Sequence, residues 1–359
     1  MSLDPQHLIE HLAATHGFAG VYVAPVGPTP SFWRFQAWLD GGLAADMGYL
    51  GRALETRADP RVRLPTARSA VVLTTHHAHE VPEDPGGATA LVARYAWGRD
   101  YHNLIGKRVR RLRSALREAG ISSWGGVDTA PIVERAWAAA AGAGFSGKNA
   151  CQILPGAGSW TLLAVIFVDV ELPATPPAPA RCGTCTRCLD TCPTGALIGP
   201  GQVDAGRCLS YWSIESRELA PPEITARWGR HLLGCDDCQA VCPHNRKPAP
   251  PSSPDLLPRH AWVDLTELLD TPDEALRTRY LGTPLLRPGP AGLKRNALHA
   301  LPFTPAPHAG IPAAMRALSH PSEVVRAAGI RTLHHLAVPI PQQTERDPSP
   351  LVQAERSRP

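Results

Sequence analysis

The sequence predicts an α+β protein on three observations. Strand-length β-branched runs are separated by helical stretches up to about residue 172, eight cysteines crowd residues 182 to 242, and helical stripes recur after residue 250. The expected organisation is a mixed α/β domain over 1–172, a cysteine-rich domain over 173–250, a helical region over 251–340 and a disordered tail over 341–359.

The first helix is expected after Asp4 or Ser2 as cap, with Pro5 in its first turn and Leu8, Ile9 and Leu12 as its apolar stripe. Residues 18–25, 69–76 and 160–170 read as strands because their Val, Ile, Leu and aromatic runs have strand length. Between them, Tyr101 to Ala119 reads as a helix stopped by Gly120, and Pro131 to Ala141 as a second, alanine-rich one. The proline-rich run 172–180 closes this domain and leads to Cys182. A second such run, 243–254, closes the cysteine-rich domain. Beyond it, Leu265, Leu268 and Leu269 mark a helix, and stripes at Ala297, Leu298 and Leu301, at Ala314, Met315 and Leu318, and at Val324, Val325, Ala328 and Leu333 suggest HEAT-like helical repeats. The closing segment lacks apolar periodicity.

Lys plus Arg exceed Asp plus Glu by four over 359 residues, so whole-chain charge announces no nucleic-acid partner. No apolar run approaches the roughly eighteen residues of a membrane span, and the opening residues carry no secretory pattern. A cytoplasmic protein is expected. In a reducing compartment clustered thiols hold metal rather than form disulfides.

The spacing Cys182-x2-Cys185-x2-Cys188-x3-Cys192-Pro193 is that of two-cluster ferredoxins, in which three thiolates hold one 4Fe-4S cluster and the fourth crosses to the other. The second half, Cys235-x2-Cys238-x3-Cys242-Pro243, lacks one cysteine, and Cys208 is the nearby replacement. By the crossing rule Cys182, Cys185, Cys188 and Cys242 hold one cluster, and Cys192, Cys208, Cys235 and Cys238 the other. Structural zinc is the alternative, although zinc has no use for this order. Cys151 stands outside the set and reads as a small buried apolar residue.

Clusters carry electrons but perform no bond chemistry, so the first domain is expected to hold an acceptor. Its polar segments are RYAWGRDYH (94–102), VDTAPIVER (127–135) and GKNACQILPGAGSW (147–160). Neither a dinucleotide fingerprint nor a P-loop is present.

Together with MGYL (47–50), RADPR (57–61), RCLSYW (207–212) and GCDDCQAVCP (234–243), these segments closely resemble the epoxyqueuosine reductases over about residues 1 to 337. The resemblance implies an oxidoreductase that reduces epoxyqueuosine to queuosine at the wobble position of tRNA. It implies one base-off cobalamin between the domains, two 4Fe-4S clusters passing electrons to it, and an external donor such as a flavodoxin or ferredoxin. A cytoplasmic monomer that engages the tRNA anticodon arm and no membrane is implied as well.

By the same resemblance Asp128, the aspartate of VDTAP, is the proton donor. A carboxyl raised by burial beside a corrin would protonate the leaving alkoxide. As sequence alone, Asp128 equally reads as the cap of the helix that follows. Arg57, Asp128, Lys148, Asn149, Ser159, Ser210, Asp236 and Asp237 are the implied cobalamin contacts, with Ser210 and Asp236 favoured because they flank ligands of the second cluster. Each also has a bland reading as surface charge or turn residue. Ala93 departs from relatives that carry a cysteine there, so no thiol contact to corrin or cobalt arises at that position.

Two basic stretches are candidates for RNA phosphates, namely Lys107, Arg108, Arg110, Arg111 and Arg113 on one helix and Lys294-Arg295-Asn296. The modified base is expected to leave its stack and enter a pocket. Rival functions are a cobalamin-dependent reductive dehalogenase and a non-catalytic ferredoxin subunit. The latter leaves the polar segments of the first domain without a task.

Overall fold

The computed structural model describes residues 4–358. In chain order its elements begin with α1 (Pro5–Thr15), β1 (Gly20–Pro25), α2 (Phe32–Asp40), α3 (Leu54–Ala58), β2 (Ser69–His76), β3 (Thr89–Val92), α4 (Tyr101–Glu118) and β4 (Ser123–Gly126). They continue with α5 (Glu134–Ala140), β5 (Phe145–Ser146), β6 (Gln152–Ile153), β7 (Thr161–Val168), α6 (Arg187–Thr191), β8 (Leu197–Gly199), β9 (Gln202–Val203), α7 (Leu209–Ile214) and α8 (Pro222–Thr225). The remainder is β10 (His231–Leu233), α9 (Asp237–Ala240), β11 (Trp262–Asp264), α10 (Leu265–Asp270), α11 (Asp273–Arg279), α12 (Gly289–Ala300), α13 (Ile311–Ala317), α14 (Glu323–His335) and α15 (Pro350–Arg356).

Two units result, each assembled from separated segments rather than from the contiguous domains expected. The first takes residues 1–79, 99–205 and 237–257, and the second 80–98, 206–236 and 258–359. Strand pairing is the cause of the second unit's discontinuity. β3 lies in a three-stranded sheet of order β10-β3-β11, parallel to β10 and antiparallel to β11, so residues far apart in sequence share one ladder.

In the first unit an antiparallel sheet of order β1-β2-β7-β4 forms the centre. Val71 and Leu73 of β2 and Ala164, Ile166 and Val168 of β7 face a core with Ile9 of α1 and Ile105, Val109, Leu112 and Leu116 of α4. The alternate residues, Ala70, Val72, Val165 and Phe167, face Trp137 and Ala138 of α5. The strict alternation follows from the two-residue period of a strand, and apolar runs are needed because helices cover both faces. Asp4 caps α1 by accepting the His7 N–H, with Pro5 at its start, while Ser2 lies outside the described residues. Residue 120 ends α4 with φ of +81°, a left-handed conformation that favours glycine there.

In the second unit α10 buries Leu265, Leu268 and Leu269 as expected, and the three predicted stripes of α12, α13 and α14, apart from Val324, enter one core with Trp97, Trp228 and Leu232. Two expectations are corrected here. Arg295 and Asn296 are fully buried and Lys294 nearly so. Arg295 donates to the carbonyls of Trp212, Ser216 and Glu218, Asn296 donates to those of Ser213 and Leu232, and Lys294 pairs with Asp273 at 3.1 Å. A guanidinium spent on backbone carbonyls has no surface left for phosphate. The expected disordered tail is likewise ordered. Val352 and Glu355 of α15 are buried, Glu355 pairs with Arg331 at 2.6 Å, and Asp347 pairs with Arg326 at 2.6 Å. A short helix needs no long apolar stripe when one ion pair and one valine tie it to α14 and a second ion pair ties the segment just before it.

Among the described residues no helix is long and apolar enough to cross a membrane.

Candidate active site and cluster-binding loops

The N-terminus of α4 builds the first half of the site. Asp100 caps the helix, and its carboxylate accepts both the His102 backbone N–H at 2.9 Å and His102 Nδ1 at 2.7 Å. The cap therefore aims the imidazole. Tyr101 stacks on that ring with centroids 4.0 Å apart. On its far side His102 Nε2 lies 2.5 Å from Asp128 Oδ2, and the Tyr101 hydroxyl donates to the same oxygen at 3.1 Å.

Asp128 supplies the second half from the loop after β4. Its φ of +46° is left-handed, a conformation aspartate adopts more readily than most residues but one that marks a constrained loop. Its backbone N–H donates to Glu134 Oε1 in the first turn of α5. The rival reading of Asp128 as the helix cap is overturned, because α5 starts at Glu134 after Val133 and the Asp128 carboxylate turns to α4 instead. The predicted start at Pro131 is early, since the helix begins only at Glu134. The Asp128 side chain is 43% exposed, so the chain's own atoms leave it open on one side.

Each nitrogen of His102 faces a carboxylate oxygen, which requires both to carry a proton. Burial opposes the charged ring, but hydrogen bonds to Asp100 and Asp128 outweigh it and push the imidazole up to about 9. Burial also pushes the Glu134 carboxyl up to about 8, helped by the negative charge of Asp128 and opposed by the Asp128 N–H, Arg135 and Arg57. Two protonated groups thus flank one carboxylate at neutral pH. His102 and Glu134 lie inside the quoted polar segments, yet sequence reasoning passed over them. The Asp100-x-His102 spacing at a helix start is the signal that would have found His102.

The remaining implied contacts fall in both units. Arg57 lies over the Phe35 ring at 5.7 Å, in electrostatic reach of Glu134, Tyr49 and Asp128. Lys148 Nζ donates to the carbonyls of Gly183 and Cys185 at 2.7 and 3.0 Å, and buried Asn149 donates to that of Cys238 at 3.3 Å. Ser159 Oγ lies in a network with Gln239 and Asn245, and a side chain at Gly158 would collide with Asn245 Oδ1 at 2.2 Å. Asp237 opens α9. All of these belong to the first unit. In the second, Ser210 Oγ accepts the Cys235 N–H at 3.0 Å and Asp236 accepts the Arg94 N–H at 2.7 Å. Most of these groups therefore hold cysteine-bearing loops in shape. Ala93 is buried.

In the first unit α6 packs against α9, so the two cysteine-bearing halves face each other. Burial pushes the Cys188 thiol up, and negative charge at Cys242 and Cys182 adds to it. Burial likewise raises Cys242, with Cys182, Cys185 and Cys151 adding to it. These are the four thiols assigned to one cluster. Thiols that resist ionising together fit a site completed by iron, whose positive charge removes the repulsion. Cys151 is half-buried and close enough to Cys242 to affect it, so it is not the isolated apolar residue expected. Cys192 and Cys238 also lie in the first unit, and Cys208 and Cys235 in the second.

The basic helix α4 divides its charges. Arg108 donates to Gly17 O and Ser253 Oγ, and Arg113 to Gly125 O and Ser123 O, whereas Lys107, Arg110 and Arg111 are exposed.

Comparison with known proteins agrees with this geometry. Residues 181–245 match a family profile described as a 4Fe-4S double cluster binding domain, and residues 57–129 match one described as epoxyqueuosine reductase QueG, DUF1730. The epoxyqueuosine reductase of Synechococcus sp. (strain CC9605) is 38% identical over 82% of this chain and 94% of its own length. A crystal structure of epoxyqueuosine reductase with a tRNA-Tyr epoxyqueuosine-modified stem loop superposes with a TM-score of 0.88 at 26% identity, covering 98% of this chain and 96% of that one. The Bacillus subtilis epoxyqueuosine reductase, solved with an aspartate-bearing catalytic loop swung out of the active site, has a TM-score of 0.87 at 25% identity, with 98% and 96% covered. The 4Fe-4S double-cluster domain excludes the zinc alternative, and the chain is a member of the epoxyqueuosine reductase family of oxidoreductases.

Proposed function

We propose that this chain reduces epoxyqueuosine to queuosine in tRNA, with Asp128 delivering the proton to the oxygen released from the epoxide. The observation that carries this reading is the Asp100–His102–Asp128 line of hydrogen bonds. Expelling an alkoxide is costly unless a proton arrives with it, and a positioned acid typically contributes two to four orders of magnitude. The Asp128 side chain is 43% exposed, and His102 Nε2 holds a proton 2.5 Å from its Oδ2. As a carboxylate Asp128 first takes the Nε2 proton of His102 and then passes it to the released oxygen, leaving His102 neutral; until that transfer Asp100 stabilises the imidazolium. Tyr101 fixes the same oxygen. The aspartate-bearing catalytic loop named for the Bacillus subtilis relative supports this role for the Asp128 loop.

The crossing order of ligands stands as part of the proposal, with Cys182, Cys185, Cys188 and Cys242 on one cluster and Cys192, Cys208, Cys235 and Cys238 on the other. Electrons reach them from an external one-electron donor such as a flavodoxin or ferredoxin. Base-off cobalamin would supply low-valent cobalt able to open the strained epoxide. The donor set fits such a ligand in charge. Arg57 and the remaining Lys148 donor suit its phosphate, and Ser210, Asp236 and Asp237 its polar edges. Asn149 and Ser159 act one step back, holding the loops at Cys238 and Gln239. The exposed Lys107, Arg110 and Arg111 of α4, together with Arg117, which lines a surface groove beside Arg110, suit phosphates of the anticodon arm. The helices of the second unit read as HEAT-like pairs.

The test is mass analysis of tRNA nucleosides after incubating the reduced, cobalamin-loaded enzyme with epoxyqueuosine-containing tRNA. Appearance of queuosine is expected, and unchanged epoxyqueuosine overturns the assignment. A bare ferredoxin subunit would give the Asp128 constellation no task.

A further inference from the structure

Helix α2 carries an aromatic row that no core uses. Phe32, Phe35 and Trp38 are spaced by three, which places them along one side of the helix. Phe32 and Phe35 lie 5.9 Å apart between centroids, and Phe35 and Trp38 are stacked at 6.3 Å with 28° between their planes. Yet α2 buries none of its residues, and among the described residues the row joins none of the four apolar cores. Trp38 is held on edge by its indole N–H, which donates to Val203 O at 2.6 Å. Rings that are ordered but half open to solvent are a platform awaiting a flat partner.

One end of that platform reaches the site. The Arg57 guanidinium lies over Phe35 at 5.7 Å and is held by the carbonyl of Arg52, while its charge reaches Asp128 and Glu134. Arg34 and Arg52 are further cations on or beside α2. Aromatic faces interleaved with arginines suit a single-stranded nucleic acid, in which every base offers a π-face and every linkage a phosphate. A nucleoside presented to Asp128 must bring its flanking nucleotides into this neighbourhood, because the chain that links them is short.

We propose that Phe32, Phe35 and Trp38, with Arg57 across them, form a stacking platform for the unpaired anticodon-loop nucleotides beside the wobble position. The inference rests on the tRNA reading above and names where the loop lies. Because the bases stack without edge-specific hydrogen bonds, the platform tolerates different neighbouring bases.

The test is binding, not turnover, so its failure is separable from failure of the proposed reduction. Affinity of the full, cluster-loaded chain is measured for an unmodified anticodon stem-loop RNA and for a fully paired RNA duplex of the same length. Phe35→Leu keeps apolar volume and removes the ring, and Phe35→Tyr restores it. The expected result is a loss of about tenfold for the stem loop with Phe35→Leu, in the range of one base stack, recovered by Phe35→Tyr. Duplex affinity and the salt dependence of stem-loop binding stay as in the parent, since no phosphate contact is removed. Three results overturn the proposal. They are unchanged stem-loop affinity in Phe35→Leu, an equal loss for the duplex, or a loss of cobalamin uptake with stem-loop affinity retained, which would make the row a support for the corrin. A variant that loses its far-ultraviolet dichroism is replaced by Phe35→Met, for which the same three results apply.

Discussion

Raising the pH tests whether His102 is the proton store. A histidine without its partners titrates near 6.5, whereas His102 is pushed up to about 9. That elevation corresponds to roughly 3 kcal/mol of preference for the charged ring. At pH 7.5 most of the rings then carry the proton, against roughly a tenth for an ordinary histidine. The sign follows from the folded value lying above the unfolded one. The stabilising contribution is fully present below about 6.5 and is lost as pH rises through about 9. Single-turnover conversion of epoxyqueuosine-containing tRNA, followed by nucleoside mass analysis, should therefore be level between pH 6 and about 8 and should decline around 9. His102→Gln can still donate from its amide N–H to Asp128, but it loses the bond to Asp100 and carries no exchangeable charge. It should lower the rate by about 100-fold or more and remove the decline near pH 9. A parent profile with its midpoint near 6.5, or a His102→Gln enzyme with the parent rate and profile, refutes the argument.

Asp128→Ala should retain both clusters by visible absorption and take up cobalamin, yet lose turnover; retained turnover would remove Asp128 from the chemistry. Glu134→Gln replaces a carboxyl that is already protonated at neutral pH, so the rate at pH 7 should stay within a few-fold of the parent. Because the folded value of Glu134 is raised, its ionisation weakens the fold between about pH 4.5 and 8, and Glu134→Gln should gain thermal stability over the parent above that window. Cys242→Ser should cut iron content and visible absorption to about those of a single cluster, as measured by iron assay and spectroscopy. Arg295→Ala leaves the carbonyls of Trp212, Ser216 and Glu218 without their donor and should destabilise the second unit by more than about 3 kcal/mol in denaturant titration.

The elements of the first unit were legible because their periodicity is local. β2 runs over Ser69–His76 as expected, and α4 stops before Gly120. The cysteine spacing was legible for a similar reason, since a cluster corner constrains consecutive residues. Charge was misleading where burial decides its use. Lys294, Arg295 and Asn296 read as a phosphate contact, but their partners come from the distant segment 212–232 and from Asp273. The tail misled in the opposite sense, because ion pairs from α14, not its own apolar pattern, hold α15.

The sequence by itself determined the paired cysteine loops, the strands and helices of the first unit, and the family to which Asp128 owes its expected role. Tertiary structure alone decided what Asp128 does locally. A capping aspartate and one bonded to a neighbouring imidazole look alike in the string VDTAP, and the distinction lies in whether its carboxylate meets the helix that follows or the imidazole set by Asp100 on α4. Hydrogen bonds between residues 26 positions apart leave no periodic trace in the chain. For the same reason the elevated His102 and Glu134, and the aromatic row of α2 left outside every core, emerged only from the folded arrangement.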